Sequence, residues 1–213
     1  LKFAKKRGVK ISNDLEFFKE GLKIKKTLNV YLTLDEIKKI YNLKGLTDRE
    51  DIARDWLVIS CNTAQRVGDL FKFNKSNLNA EGDVLTVQQT KNQNSKPISI
   101  PLLPQVLEIL KKHNGFPPLL SDNVRNNYKY YNELIKEVGL KAGLTDEVKT
   151  LGYKSIDNNS EYSNKPKWEL VSSHIGRRSF ATNYYGKLPT ALIMSLTGHK
   201  SEATFLLYID KDR

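Results

Sequence analysis

The chain has 213 residues, 39% hydrophobic and 28% charged, which fits a globular protein long enough for one or two domains with a sizeable core. No long uncharged apolar run is present to read as a membrane span, and no apolar stretch follows the basic residues Leu1 to Lys10 to make them a secretory signal. The formal charge of +11 favours a polyanionic partner, DNA or RNA first. The single cysteine, Cys61, excludes an internal disulfide and a multi-cysteine zinc site. It lies in an apolar stretch and reads as a small core residue, compatible with a reducing cytoplasmic compartment.

A chain that begins at Leu1 rather than Met is expected to be a piece of a longer protein. Its first thirty or so residues are basic and weakly patterned, with clusters at Lys5, Lys6, Arg7 and at Lys23, Lys25, Lys26. They read either as a linker or as contacts to a nucleic-acid backbone. Thr33-Leu34-Asp35-Glu36 is a capping box, with Leu32 and Ile37 placed for a hydrophobic staple, and predicts a helix from Leu34 to about Tyr41. Thr47-Asp48-Arg49-Glu50 repeats the signal, opening a helix whose residues Ile52, Trp56, Leu57 and Ile59 suit a core face. Val84, Thr86 and Gln88 then alternate with Leu85 and Val87, a polar turn runs from Asn92 to Ser95, and Ile98-Ser99-Ile100 follows. The pattern predicts a β-hairpin or a short three-stranded sheet, with strand and turn pieces in Asn74 to Gly82. Further helices are predicted at Gln105 to Lys112, Asn123 to Gly139, Ser173 to about Tyr185 (capped by Ser172 or Ser173) and Thr190 to Leu196. Thr145 to Lys167 is polar and reads as a loop or a small second hairpin. The expected class is α+β, mostly α-helical with a small antiparallel β-sheet.

The chemistry-bearing residues are individually ordinary. His174 and Arg177, three apart, share a helix face and could grip one phosphate; alone, such a pair is most often a surface feature. Gly198 reads as the C-cap of the preceding helix, with His199 projecting from its end. Arg66 and Asp69 stand in an apolar region, where a charge needs a partner or an anion; pairing with each other is the plain reading. Lys91, at the hairpin tip, is by default a turn lysine. Tyr184 and Tyr185 read as core or groove aromatics. Trp56 and Trp168 read as packing residues, with a DNA contact from Trp168 the lesser option.

Taken in order, these residues resemble the catalytic domain of the tyrosine recombinase (phage integrase) family, most like the integrases of mobile elements. Arg66 heads Arg-Val-Gly-Asp-Leu. Lys91 precedes Ile98-Ser99-Ile100-Pro101-Leu102, similar to the family's Ile-Pro-Leu strand end. His174 and Arg177 lie in His-Ile-Gly-Arg-Arg-Ser-Phe-Ala-Thr, close to the family's His-x-x-Arg-His-Thr-Phe-Ala-Thr. His199 lies in Leu-Thr-Gly-His-Lys-Ser, and Tyr208 closes Thr-Phe-Leu-Leu-Tyr. Arg178 replaces the usual His, a change expected to matter little. Only Ile209 to Arg213 follow Tyr208, so the family's subunit-docking tail is expected to be short or absent.

The resemblance implies a basic linker or remnant of an N-terminal DNA-binding domain over residues 1–31 and a recombinase catalytic domain over 32–213. It implies a DNA strand transferase that integrates or excises a mobile element. Tyr208 would attack the phosphodiester to form a 3′-phosphotyrosine. Arg66, Arg177 and His199 would hold the non-bridging oxygens, and His174 would accept the phenol proton or position the phosphate. Lys91 would protonate the 5′ oxygen, its pKa lowered by the arginines. Asp69 would orient Arg66 or a neighbouring histidine. The cations are side chains and the bond energy is kept, so no metal, ATP or small-molecule cofactor is expected. The partners implied are double-stranded DNA and, for the longer protein, a tetramer on DNA; the location implied is the cytoplasm of a bacterial cell. Two alternatives stay open: a type IB topoisomerase-like nicking-closing enzyme, and a non-catalytic DNA-binding regulator on the same fold.

Overall fold

The computed structural model describes residues 7–8, 30–90, 96–153 and 160–209. Lys91, the turn Asn92 to Ser95 and the basic clusters of the first thirty residues, Arg7 excepted, lie outside the described residues.

Both capping boxes form. At helix α1 (Leu34–Tyr41) the Thr33 amide donates to Glu36 Oε2 at 2.6 Å and the Glu36 amide donates to Thr33 Oγ1 at 3.2 Å. Two otherwise orphaned donors are satisfied reciprocally. Thr47 and Glu50 do the same for α2 (Asp48–Thr63). That helix has more than a core face: Ala53 to Cys61 are all buried, so it runs through the centre of the molecule. Two of those residues are charged. The Asp55 carboxylate accepts from Arg54 Nε at 2.6 Å and Lys112 Nζ at 2.7 Å, and lies 2.7 Å from His113 Nε2. This multiple pairing is what lets a carboxylate remain at 0% exposure.

Ala64 ends α2 in the left-handed conformation at φ 59°, and Arg66 stands at the cap of the short α3 (Val67–Leu70). A 3-10 turn, Lys75–Asn77, occupies the region where strand pieces were expected. Among the described residues, only the single bridge Leu78 to Leu85 adds to the hairpin of β1 (Val84–Val87) and β2 (Ile98–Pro101), which pairs Leu85 with Ile100. Helices α4 (Pro104–His113) and α5 (Val124–Lys141) follow. The polar stretch after them is a second antiparallel hairpin, β3 (Glu147–Tyr153) with β4 (Ser160–Pro166). Then come α6 (Ile175–Tyr184), α7 (Thr190–Thr197) and α8 (Glu202–Tyr208). Helix α6 starts later than its sequence suggests. His174 takes the cap position with helical backbone angles, and the Ser173 amide instead donates to Asn132 Oδ1 at 2.9 Å, so neither Ser172 nor Ser173 is the cap.

Helices α5 and α6 both pack along α2, and Trp56, Tyr131, Ile135, Ile175, Ile193 and Phe205 are among the fully enclosed side chains. The Trp56 indole donates to the Pro118 carbonyl at 3.0 Å. Among the described residues no helix is long and apolar enough to cross a membrane.

Candidate active site

The turn after α2 begins the site. With Ala64 left-handed, its carbonyl accepts a hydrogen bond from Arg177 Nη1 at 2.9 Å. Next in the chain, Gln65 is fully buried. Its amide nitrogen donates to the carbonyls of Thr63 (2.8 Å) and Leu196 (3.1 Å). Gln89, just past β1, donates to Gln65 Oε1 at 3.1 Å and to the same Leu196 carbonyl at 2.8 Å. These two glutamines fasten together three places far apart in sequence: the start of α3 with Arg66, the hairpin stem leading to Lys91, and the end of α7 that leads to His199. Neither was singled out from sequence. The signal for Gln89 was available, because continuing the inward alternation of Leu85 and Val87 places it inside.

Asp69 does not pair with Arg66, and no ion pair joins them among the described residues. It is 5% exposed, and its Oδ1 accepts from the Thr90 amide at 3.1 Å and from the Thr90 hydroxyl. The expectation that it orients Arg66 or a histidine is therefore corrected: it holds the hairpin stem, one residue before Lys91. Thr90 Oγ1 also accepts from Lys72 Nζ at 3.1 Å.

Arg66, Arg177, His199 and Tyr208 come together. Arg177, 3% exposed, is lowered to about 10 by burial first and then by the charge of Arg66, while Tyr208 and Asp69 act the other way. His199 is lowered to about 4 by burial, then by Arg177 and Arg66, and is neutral near pH 7. Its ring lies 4.9 Å from that of Tyr208 and 5.5 Å from that of Phe205. The Tyr208 hydroxyl is enclosed, without a well-formed hydrogen bond; burial raises its pKa, and Arg177, Arg178 and Arg66 oppose the rise. Arg66 Nη1 and Arg178 Nε are likewise enclosed and unpartnered. Buried cationic donors left unpaired beside a phenol are costly unless an anion completes them.

The His199 tautomer follows from Thr197. The Thr197 hydroxyl lies 2.6 Å from the Ile193 carbonyl, which takes its only proton. His199 Nδ1, 2.8 Å from that hydroxyl, must then be the donor. The neutral ring thus presents an unprotonated Nε2, and it becomes a phosphate donor only on taking a second proton.

Two further residues complete the placement. His174 is exposed at the start of α6, one turn before Arg177. Arg178, expected to matter little, lies over the Tyr208 ring, its guanidinium carbon 5.4 Å from the centroid. Elsewhere, a cavity of about 550 Å³ between α1, α2 and α4 is also rich in charge, but Arg54 and Lys112 there are paired with Asp51 and Asp55.

The sequence model of the phage integrase family matches residues 30–213. The chain belongs to that family of tyrosine recombinases. No curated protein matches it by sequence comparison. Among solved structures, the Tn1549 transposon integrase in complex with transposon right end DNA is similar at TM-score 0.65 and 16% identity, over 99% of this chain and 71% of that one. A lambda integrase dimer bound to a COC′ core site matches at TM-score 0.59 and 20% identity, over 99% of this chain and 69% of that one. XerH site-specific recombinase bound to difH substrate, in a pre-cleavage complex, matches at TM-score 0.58 and 18% identity, over 90% of this chain and 53% of that one. The integrase chain described here thus spans about half to two thirds of the length of the Xer recombinases it matches. The likeness establishes the tyrosine recombinase catalytic fold, mostly helical with two small antiparallel sheets.

Proposed function

We propose that this chain is the catalytic domain of a site-specific DNA recombinase that cuts and rejoins strands through a 3′-phosphotyrosine at Tyr208, serving the integration or excision of a mobile element. The observation that carries the reading is the enclosed cluster itself: Tyr208 with a buried hydroxyl that makes no well-formed hydrogen bond, facing Arg66 and Arg177, neither of which is ion-paired with a carboxylate among the described residues. A phosphodiester supplies the missing anion.

In this mechanism Arg66 and Arg177 hold the non-bridging oxygens and stabilise the charge that grows there during attack. The Tyr208 oxygen bonds to phosphorus as the bond to the 5′ oxygen breaks. With DNA bound, His174 accepts the phenol proton or positions the phosphate, and Lys91 protonates the departing 5′ oxygen. Asp69, through Thr90, fixes the stem that carries Lys91. His199 gains its second proton as the diester offsets the two arginines, and joins them as a donor. Cleavage then needs neither metal nor ATP. Residues 1–31 act as a basic linker from an upstream DNA-clamping domain, and the longer protein works as a tetramer on two double-stranded sites. DNA-bound relatives of the same fold, among them a lambda integrase tetramer bound to a Holliday junction, support that assembly.

The test is covalent trapping. A pool of nicked duplexes with a randomised centre is incubated with the chain in EDTA, the adducts are isolated, and their peptides and DNA are sequenced. A phosphotyrosyl adduct at Tyr208, lost in Tyr208→Phe with duplex affinity retained, is the expected result. Absence of any adduct with intact wild-type protein removes the enzymatic reading. Paired duplexes with marked ends then separate recombination, which yields exchanged joints, from nicking and closing alone.

A further inference from the structure

We propose that Arg178 is a positioning residue for Tyr208, seating the phenol ring by a contact with its face while anchored to the chain's leading segment at Val30. The proposal rests on the reading of Tyr208 as the nucleophile.

Helix α8 needs such a seat. It is seven residues long, and Phe205 is its one buried side chain; Glu202, Ala203, Thr204 and Leu207 are exposed. A helix this short has little stability of its own. Its inner contacts are aromatic: Phe205 meets Tyr185 at 6.0 Å and His199 at 5.5 Å. At the far end of the helix the Tyr208 ring meets the His199 ring at 4.9 Å, and Arg178 lies over its face, with its guanidinium carbon 5.4 Å from the ring centroid. A cation over an aromatic face is attracted to it, more so when water is excluded, and Arg178 Nε is enclosed.

The other end of the guanidinium is held as well. Arg178 Nη1 donates to the Val30 carbonyl at 3.3 Å. Its neighbours on α6 continue the grip: Ser179 Oγ accepts from the Leu32 amide at 2.8 Å, and Asn183 Nδ2 donates to the Leu32 carbonyl at 2.8 Å. The leading segment Val30 to Leu32 is thus bound along α6 by three side chains, and only Arg178 also reaches the nucleophile. A histidine at this position, shorter and with one cationic state to lose, could not span both contacts near pH 7.

Among the described residues, the charged and titratable groups facing Tyr208 are Arg66 before α3, Arg177 and Arg178 on α6, and His199 after α7. Removing Arg178 removes one of three charges that favour the phenolate, so the phenol must ionise at higher pH.

The experiment follows single-turnover adduct formation on a trapped nicked duplex, from neutral to alkaline pH. Arg178→Ala is expected to slow trapping at neutral pH by roughly 3- to 30-fold, to move the rising limb of the pH profile upward, and to approach the wild type at alkaline pH. Arg178→Lys keeps the charge and is expected to keep the wild-type limb at a reduced rate. Arg178→Gln, which removes the charge and keeps a polar side chain in place of the methyl of alanine, serves if the alanine variant does not fold. A pH-independent drop in both neutral variants would mean a merely structural role and overturn the proposal, as would an unchanged rate. Failure of the wild type to form any adduct would instead strike the nucleophile assignment itself.

Discussion

Replacing Gly176 by alanine tests whether the fit of α6 against α2 sets the position of Arg177. A Cβ built at Gly176 would lie 2.6 Å from Ser60 Cβ and 2.9 Å from the Ser60 backbone carbonyl carbon. Carbon atoms at rest sit about 3.5–4.0 Å apart, so one helix must retreat by about 1 Å. Neither contact is the end of a flexible chain, and Ser60 is fully buried, so rotation of a side chain does not relieve it. Overpacking of this kind costs about 1–3 kcal/mol, and alanine returns about 1 kcal/mol in helix propensity. The net destabilisation of about 0–2 kcal/mol leaves the domain folded. The effect on chemistry is larger, because Arg177 is the next residue and its guanidinium is tied to Ala64 on the far side of the clash. A misplacement of about 1 Å in a catalytic constellation costs about 100-fold in rate. Urea denaturation gives the stability change, and single-turnover trapping on a nicked duplex gives the rate. Adding Ser60→Gly removes the closest carbon and is expected to restore much of the rate. A Gly176→Ala protein that folds and traps DNA within about threefold of wild type would refute the claim that this packing positions the arginine.

Three other outcomes follow from single residues. Asp69→Ala removes the acceptor of both Thr90 hydrogen bonds; cleavage is expected to slow about 10- to 100-fold, and a 5′-sulfur at the scissile position, which leaves without a proton, is expected to restore it. No rescue by sulfur would detach Asp69 from the Lys91 step. His199 titrates near 4 in the free protein, and a bound diester raises that value by offsetting Arg66 and Arg177, so the complex holds the extra proton over a window above 4. By linkage, duplex affinity rises as pH falls from neutral through that window; in a Tyr208→Phe background, His199→Gln is expected to flatten the rise measured by anisotropy at constant ionic strength, and equal slopes would take His199 out of the phosphate site. Cys61 is 3% exposed, and burial pushes its thiol up to about 12; it is expected to resist a thiol reagent until the protein unfolds, and labelling of the native protein within seconds would contradict its place in the core.

What could be read in advance was local. The boxes at Thr33 and Thr47 and the left-handed cap at Gly198 each depend on a few consecutive residues, and each formed as expected. Helix α8 was not legible because Phe205 is its single buried residue, too few to make a period, and what holds it comes from Tyr185 and His199. Nor was the β3–β4 hairpin distinguishable from a loop: Ser163, Asn164 and Lys165 are all exposed, so no alternation of burial marks the strand. The same contrast runs through the site. A family pattern names Arg66, Arg177, His199 and Tyr208 because their roles are written in residue type. It is silent on Gln65, Gln89 and Arg178, whose roles are written in contacts across the fold. Those contacts do different work. The glutamines bring backbone segments together and bear no charge, so replacing one disturbs geometry at every pH. Arg178 adds charge as well as geometry, so its loss must show a pH signature that theirs cannot. The shape of the rate profile, rather than the size of the defect, therefore separates residues that assemble the site from a residue that sets the reactivity of its nucleophile.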